Sequence, residues 1–368
     1  MSETQARMLD VSGASLDSPR AWQPVRVPRE TIEREIERLA AGPLPANGRR
    51  AALIVHPSAQ APGLGFAPGV DITINVLKPG EATTPMRRNA NQIEICIRGR
   101  GTVHAGQTRV TLDKWDVCTI PSMRTYAHRN ESDDLWVRLT YSNTPLLDKL
   151  GVHYFEQGVA ADADGPAHAD TEADPRYSRE TAPDIPVGVD GARLRGYEFL
   201  TDIQVVPNRP LHWPWQEVSQ HLTREPGDGR RSILLLYNPA TERRNGTTHS
   251  FFATMSWLPP GSPLRAPRRG HRHTSVAINY HFAGSGRSEV DGQTIAWRAG
   301  DLLLSAPGWS EHAHFQSEEG LGILTVQDHP LHIGMESLIW QERMDGPILT
   351  LGSEQGQTGY VGPREAGA

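Results

Sequence analysis

The chain contains the same sequence frame twice, once in each half of its 368 residues. The segment PMRRNANQIEICIRGRG aligns with GHRHTSVAINYHFAGSG when Gly99 is placed on Gly284, and Asp116 then falls on Asp301. Upstream, RAALIVHP aligns with RSILLLYNP. An internal repeat of this kind predicts two similar folded units in tandem.

Each unit is predicted to be all-β. Short runs of Val, Ile, Leu and Thr, bounded by Gly, Pro and Asp, recur through both halves. One clear helix is predicted over Pro28–Gly42, where Ile32, Ile36 and Leu39 form an apolar stripe. We expect this helix to pack on a barrel or on a partner subunit, and we expect a weaker helix in WPWQEVSQHL.

The repeat and the composition predict the domain organisation. We expect an N-terminal arm with a helix (1–49), a first lobe (50–150), a linker (151–230), a second lobe (231–340) and a tail (341–368). The Ala/Asp-rich segment Val159–Asp184 has no periodicity, which predicts a solvated connection. The tail after Met344 is Gly-rich, which predicts a loose segment.

The overall composition excludes several classes of protein. Charged residues make up 22% and hydrophobic residues 37%, as in ordinary soluble proteins. The net charge of −6 argues against a nucleic-acid or anionic-membrane partner. The sequence shows neither a secretory signal nor a membrane span, so a cytoplasmic location is expected. Cys96 and Cys118 are expected to be buried free thiols.

Three histidines of the second half predict a metal site. His271 and His273 are two residues apart in a strand-like run, so their imidazoles can point to the same side. His312 follows the turn-rich GD…PGW segment and can return to that spot from a neighbouring strand. Three neutral imidazoles leave open coordination positions on a divalent metal, which is typical of a catalytic site.

The metal itself is expected to be Fe(II), the usual ion for O2 chemistry at open histidine sites, although the ligands also allow Mn, Co, Ni or Zn. In the first half, Met86, Arg88 and Tyr126 stand at the positions of the three histidines. They do not form a plausible divalent-metal site. The first lobe is therefore either an inert packed barrel or a vestigial ligand pocket with Arg88 as an anion anchor.

Other side chains are candidates for catalysis or substrate binding. Strand alternation turns Ser275, Asn279 and His281 to the same side as the metal ligands. His281 is either a core histidine or a catalytic base. His314 has a counterpart, His128, in the lobe without metal ligands, so a structural role and a substrate contact are both open.

For the substrate-binding candidates further from the ligands, a purely structural role is also open. Arg265, Arg268 and Arg269 could hold an acidic substrate with their guanidinium groups, or they form a solvated basic loop. Trp257 and Trp309 could wall an aromatic ring, or they belong to the barrel core.

The motifs HxH…GxG and GD…P…H resemble the two conserved motifs of the cupin superfamily. Their tandem arrangement, with HRHTSVAINYHFAGSG, PGWSEHAH and HWPWQEV, resembles the gentisate 1,2-dioxygenase family of bicupins over roughly residues 30 to 340. That family includes salicylate and 1-hydroxy-2-naphthoate dioxygenases. The resemblance implies two cupin barrels (double-stranded β-helices, or jelly rolls) with a few short helices. It further implies Fe(II)-dependent, extradiol-like cleavage of a hydroxylated aromatic acid by O2, in a homodimer or homotetramer.

The chain departs from the family pattern in two respects. The family usually holds its metal in the first lobe, whereas here only the second lobe has the ligands. Ser275 and Asn279 stand where the family usually presents Gln and Arg, which predicts that gentisate is not the preferred substrate. Gln327 and Asp328 stand where family members have an acidic residue near the substrate, so Asp328 is expected to position the substrate or transfer a proton.

Two other functions remain compatible with the sequence. One is a non-oxidative metalloenzyme, such as an isomerase, lyase or hydrolase, on the same scaffold. The other is a non-catalytic module that binds a small acid.

Overall fold

The computed structural model describes residues 8, 10–14, 22–160, 185–187, 189, 192–194, 209–222, 231–264 and 270–351. Strands dominate this part of the chain, which confirms the all-β class. The strands of the first half are β1 (Val25–Val27), β2 (Arg50–Ile54), β3 (Asp71–Leu77), β4 (Met86–Arg88), β5 (Gln92–Arg98), β6 (Gly101–Ala105), β7 (Thr108–Leu112), β8 (Val117–Ile120), β9 (Tyr126–Arg129), β10 (Trp136–Ser142) and β11 (Phe155–Gln157). Those of the second half are β12 (Ile185–Val187), β13 (Ala192–Leu194), β14 (His212–Trp213), β15 (Ser232–Leu235), β16 (Phe252–Leu258), β17 (Arg272–His273), β18 (Val276–Val290), β19 (Gln293–Arg298), β20 (Leu302–Pro307), β21 (His312–Gln327), β22 (Ile339–Gln341) and β23 (Leu349–Thr350). The α-helices are α1 (Arg29–Ala41), α2 (Thr144–Lys149), α3 (Trp215–Val218) and α4 (His329–Gly334), and 3-10 turns cover Ser219–His221 and Pro239–Arg244.

The strands of each barrel are divided between two sheets. The first half has a six-stranded sheet, β14-β8-β5-β10-β3-β2, and a five-stranded sheet, β11-β4-β9-β6-β7. The second half has the path β1-β20-β18-β21-β16-β15, with β19 paired to β18, and the small sheet β17-β22-β23. All the strand pairs within them are antiparallel. This is the predicted pair of cupin barrels, built from the two copies of the repeat.

A shared apolar core joins the two barrels. Along β18, alternate residues point out of the second barrel, and Ile278, Tyr280 and Phe282 enter the same buried cluster as β5 and β10 of the first barrel. The ring of Trp115 lies 5.4 Å from Phe282 and 6.1 Å from Tyr280. The other face of β18 therefore lines the interior of the second barrel, which is where the candidate site lies.

The leading strand of each half pairs with the other half's barrel. β1 from the arm pairs with β20, and β14 from the inter-lobe segment pairs with β8. Two aspartates at equivalent positions of the repeat hold the helices that follow β1 and β14. Asp301 accepts the N–H of Arg29 at the start of α1 (2.8 Å), and Asp116 accepts the N–H of Trp215 at the start of α3 (2.7 Å). This exchange ties the arm and the inter-lobe segment to opposite barrels.

The predicted first helix is confirmed. α1 follows Pro28 and ends before Gly42, and its stripe of Ile32, Ile36 and Leu39 is buried. This face packs on β2 and β3 of the chain's own first barrel. The weaker helix predicted in WPWQEVSQHL is α3 with the 3-10 turn that follows it.

Two sequence expectations differ from the structure. Periodicity predicts one strand from His271 to His281, but this run is divided into β17 and β18, which belong to different sheets. The expectation of a loose tail is wrong as far as Thr350, because β23 pairs with β22. The domain boundaries themselves stay predictions, and most of the segment Val159–Asp184 lies outside the described residues.

The cysteines and the helices bear on two further expectations. Cys96 and Cys118 are both buried free thiols, as expected. Among the described residues, no helix combines the length and apolarity needed to cross a membrane.

Candidate metal centre

The three predicted histidines lie together at one end of the second barrel. His271 and His312 form an isolated antiparallel bridge with hydrogen bonds in both directions between their backbones, and His273 is two residues further on. The ring centroids are 4.5 Å apart for His271 and His312 and 4.8 Å apart for His273 and His312. One nitrogen from each ring lies within 4.8 Å of the others, so one ion can contact all three.

Backbone carbonyls determine which ring nitrogen faces the centre. His273 Nδ1 lies 2.9 Å from the carbonyl oxygen of Ser275, and His312 Nδ1 lies 3.0 Å from that of Ser310. A carbonyl oxygen only accepts hydrogen bonds, so both Nδ1 atoms carry the proton. Each Nε2 then carries the lone pair that a metal can bind, which is the usual arrangement around metal-bound histidines.

The charge state of the centre also fits a metal. His273 is fully buried, and its Nε2 has no hydrogen-bond partner within the described part of the chain. Burial lowers the pKa of His273 well below its usual value, and the neighbouring imidazoles of His312 and His329 lower it further. The ring is therefore neutral at physiological pH, and a divalent ion would satisfy its buried lone pair.

An aromatic side chain covers one side of the centre and leaves another side open. The Trp340 ring stacks on His271 at 4.8 Å and on His273 at 5.0 Å. His273 and His312 are buried, whereas His271 is partly exposed. The centre can therefore be reached from the His271 side.

A hydroxyl connects the centre to a fourth imidazole. Ser275 Oγ lies 2.8 Å from His273 Nδ1 and 2.8 Å from His329 Nδ1. The hydroxyl can accept from His273 Nδ1 and give its own hydrogen to His329 Nδ1; we assign this direction because it partners the buried hydroxyl hydrogen, and it puts the proton of His329 on Nε2. His329 Nε2 is buried without a partner among the described residues, and burial lowers the pKa of His329 to about 3. His329 is thus a neutral N–H donor, with its ring 5.0 Å from that of His273.

Asn279 and His281 face the barrel interior, as strand alternation predicts. Asn279 donates from Nδ2 to Ser305 Oγ at 2.9 Å. The His281 ring stacks on Trp297 at 4.0 Å, and burial lowers its pKa to about 3. Neither ring nitrogen of His281 has a partner among the described residues. His281 is therefore a neutral imidazole that packs as a ring. It differs from an ordinary core histidine, whose ring nitrogens are hydrogen-bonded.

His314 lies behind His312 on the same strand. Its ring is 5.7 Å from that of His312, and its Nδ1 lies 2.7 Å from Ser288 Oγ. The same hydroxyl accepts from Trp297 Nε1 at 3.1 Å. These contacts favour the structural alternative for His314.

Asp328 supports the strand that follows the ligands. Its Oδ1 accepts the backbone N–H of Val276 at 2.8 Å, and its Oδ2 lies 3.5 Å from His332 Nε2. The carboxylate thus fixes the start of β18. Gln327 lies beside it at the end of β21, opposite Ala277 across the strand pair.

The substrate-wall candidates pack against side chains other than the three histidines. Trp257 packs against Trp215 and Phe282 on the outer face of β16, beside a cavity of about 240 Å³. Trp309 is covered by the guanidinium of Arg272 at 4.5 Å. These contacts favour a packing role for both tryptophans. Arg265, Arg268 and Arg269 lie outside the described residues.

Two residues of the centre were missed by the sequence analysis. Trp340 is distant in sequence and reaches the centre through the pairing of β22 with β17. His329 begins a helix directly after Asp328, so no strand periodicity indicates its direction. The sequence signal for His329 was its position directly after the candidate Asp328 in the VQDHPL segment.

Comparisons with known proteins agree with this architecture. No protein-family model matches the chain. A 1-hydroxy-2-naphthoate 1,2-dioxygenase of Nocardioides sp. (strain KP7) is 24% identical over 301 residues, which cover 80% of this chain and 71% of that protein. A gentisate 1,2-dioxygenase of Streptomyces sp. is 25% identical over 298 residues, covering 77% of this chain and 76% of that protein.

A solved structure shows the same fold. A salicylate 1,2-dioxygenase from Pseudoaminobacter salicylatoxidans, in a crystal structure of its adducts with gentisate, matches with a TM-score of 0.66 at 17% identity. The match covers 88% of this chain and 86% of that one. Fold and site together define a bicupin with a histidine centre in its second barrel. The chain is thus similar to 1-hydroxy-2-naphthoate, 5-aminosalicylate and gentisate 1,2-dioxygenases, which confirms the resemblance seen in the sequence.

Proposed function

We propose that this protein is a ring-cleaving dioxygenase that uses O2 and one Fe(II) ion on a hydroxylated aromatic acid. His271, His273 and His312 would hold the ion. The observation that carries this proposal is the cluster of three imidazoles whose ligand nitrogens lie within 4.8 Å of one another, with the buried Nε2 of His273 unpartnered among the described residues.

Iron bound by neutral ligands supplies a redox-active centre with undiminished positive charge, which suits an anionic substrate and O2. The protein orients the reactants and excludes water. Burial of His273 and His312 and the cover provided by Trp340 exclude water from one side. The substrate enters from the side of His271.

His329 is the donor that we assign to the bound substrate. Ser275 holds its Nδ1, so its Nε2–H is directed as a neutral donor beside the three histidines. A substrate oxygen that accepts this hydrogen bond would satisfy a buried polar atom that is otherwise unpartnered in the described part of the chain. Asp328 acts by positioning, since its carboxylate holds the backbone of Val276.

The metal assignment is tested by the metal content of protein purified without added metal. We expect about one iron per chain in the native protein, and none in a folded His271→Ala variant. Tyr126→Phe changes the position equivalent to His312 in the first barrel and should keep the metal. Iron retained in His271→Ala would contradict the assignment.

The reaction class is tested by O2 uptake with a panel of hydroxylated aromatic acids. We expect stoichiometric O2 consumption with Fe(II)-loaded protein and no turnover under anaerobic conditions. Undiminished anaerobic turnover would instead identify an isomerase, lyase or hydrolase. Binding of the acids without turnover under either condition would identify a binding module.

Gentisate is predicted not to be the best substrate. Asn279 donates to Ser305 and can offer only a neutral amide where an arginine would hold a carboxylate with two charge-assisted bonds. The loss of such an anchor costs on the order of a hundredfold in rate. Comparison of kcat/KM for gentisate with that for bulkier or less carboxylated hydroxyaromatics, with Asn279→Arg alongside, checks this. A best kcat/KM for gentisate in the unmodified enzyme would show that the interpretation is wrong.

The cytoplasmic location and the assembly into a homodimer or homotetramer stay predictions.

A further inference from the structure

The first barrel carries a methionine, an arginine and a tyrosine where the second carries its histidines. Met86 and Tyr126 are paired across β4 and β9, as His271 and His312 are in the second barrel, and Arg88 stands two residues after Met86. The equivalent end of the first barrel is therefore built around a guanidinium group.

Two further arginines share this space. Arg138 is buried and holds Glu94 with two hydrogen bonds of 3.0 and 2.9 Å. Arg49 is half-buried, and its Nη1 lies 2.8 Å from the sulfur of Met86, which is a weak acceptor. Burial lowers the pKa of Arg49, and the charges of Arg88 and Arg138 lower it further. Arg49 thus lies close enough to the other two guanidinium groups to be repelled by both.

The buried carboxylates do not balance these charges. Glu94 is engaged by Arg138, by His128 at 3.0 Å and by Thr140 at 3.0 Å. Asp71 lies near Arg88, and its Oδ1 accepts the hydroxyl of Ser142 at 2.6 Å. Burial raises the pKa of Asp71. Burial also lowers the pKa of His128 to about 4, so that ring is neutral. With three arginines and two carboxyl groups, an excess of at least one positive charge remains.

Unsatisfied donors lie beside this excess charge. Gln92 accepts hydrogen bonds from Tyr126 Oη and from Arg88 on its Oε1, which places its amide between the two positions equivalent to metal ligands. Its Nε2 is buried without a partner among the described residues, and so is Arg88 Nε. Gln92 is only 1% exposed, so water does not readily satisfy it. Arg49 and Arg88 are half-buried and connect the site to solvent.

We propose that the first barrel binds a small monovalent carboxylate, held by Arg49, Arg88 and the amide of Gln92, at the position equivalent to the metal centre. Guanidinium and amide groups are planar donors that match a carboxylate. The excess positive charge and the planar donors together suit a planar monoanion. The site is independent of the function proposed for the second barrel.

The test is isothermal titration of the full-length His271→Ala protein with acetate and with benzoate, since this background removes carboxylate binding at the histidine centre. We expect saturable binding of one carboxylate per chain. Arg49→Gln should weaken it at least about tenfold, the usual effect of losing a hydrogen bond to a charged group. Arg87→Gln is the matched control, because Arg87 is the neighbouring arginine of β4 and pairs with Glu156.

A second variant, and a crystallographic measurement of where the carboxylate binds, make the test decisive. Arg49→Lys keeps the charge but loses the planar pair of donors, so its affinity should lie between those of Arg49→Gln and the parent. Crystals soaked in 4-bromobenzoate should show anomalous bromine density in the first barrel beside Arg49. Absence of saturable binding, tighter binding of sulfate than of acetate, or equal affinities in Arg49→Gln and the parent would each overturn the proposal.

Discussion

The histidine centre depends on small residues that orient its ligands. Ser275 presents its carbonyl oxygen and its hydroxyl to His273 and connects His273 to His329. The sequence predicts Ser275 as a substrate contact, whereas these hydrogen bonds favour a role in orienting the two imidazoles.

Ser275→Ala should weaken metal binding roughly 10- to 100-fold, as is usual when a group that orients a ligand is removed. Competition with a chelator of known affinity measures the change. Ser305→Ala is the matched control, because Ser305 is also fully buried and bonds to Asn279 instead of to a ligand. Equal losses in both variants would indicate a general packing effect.

His281 should make the stability of the protein depend on pH. Burial lowers its pKa in the folded state to about 3, and in the unfolded state it titrates near its ordinary value of 6.5. As the pH falls below 6.5, the unfolded chain binds a proton that the folded chain does not. The free energy of unfolding therefore falls by up to about 1.4 kcal/mol per pH unit for this group until the pH approaches 3.

His281→Phe keeps an aromatic ring against Trp297 and removes this titration. The slope of unfolding free energy against pH, measured by urea denaturation between pH 6.5 and 4, should become shallower by about that amount. His221→Ala changes an exposed histidine and should leave the slope unchanged. Identical slopes in the His281→Phe variant and the parent would contradict the assignment of a buried neutral ring.

At the scale of elements, the pairing of β1 and β14 with the opposite barrels depends on Asp301 and Asp116, which are equivalent positions of the repeat. Asp301 is fully buried and accepts hydrogen bonds from Arg26 Nη1, from the N–H of Arg29 and from that of Arg298. It therefore joins β1, the start of α1 and the turn before β20. A neutral amide at this position cannot accept from all three donors equally well.

Asp301→Asn should lower the free energy of unfolding by about 1.5 to 3 kcal/mol, the usual contribution of hydrogen bonds to a buried charge. Thermal and urea denaturation measure this loss. Asp113→Asn affects an exposed residue of the equivalent turn in the first barrel and should change stability by less than about 0.5 kcal/mol. A loss of that small size in Asp301→Asn would show that β1 is held by other contacts.

At the scale of the whole molecule, the two barrels share one core and should unfold together. Phe282 contacts Trp115 of the first barrel and Trp215 of the inter-lobe segment. Phe282→Ala should destabilise by about 3 to 5 kcal/mol because it removes a large buried ring. Tryptophan fluorescence and circular dichroism should report a single transition in the variant, as in the parent. Two separate transitions would show that the barrels fold independently.

The repeat, the strand periodicity and the HxH spacing were sufficient to predict two cupin barrels and the three clustered histidines. These features are encoded locally, because alternation along a strand sets the direction of each side chain and the repeat sets the register between lobes. The amino-acid sequence alone is therefore enough to bring His271, His273 and His312 together.

The tertiary structure alone decided which groups surround those histidines. Trp340 and His329 reach the centre through the pairing of β22 with β17 and through the turn into α4, and neither connection has a spacing that the sequence reveals. Trp257 could not be assigned either, because alternation gives a face of β16 but not what packs against it. Direction along one strand is a local property, whereas the identity of the neighbours depends on long-range packing of both barrels.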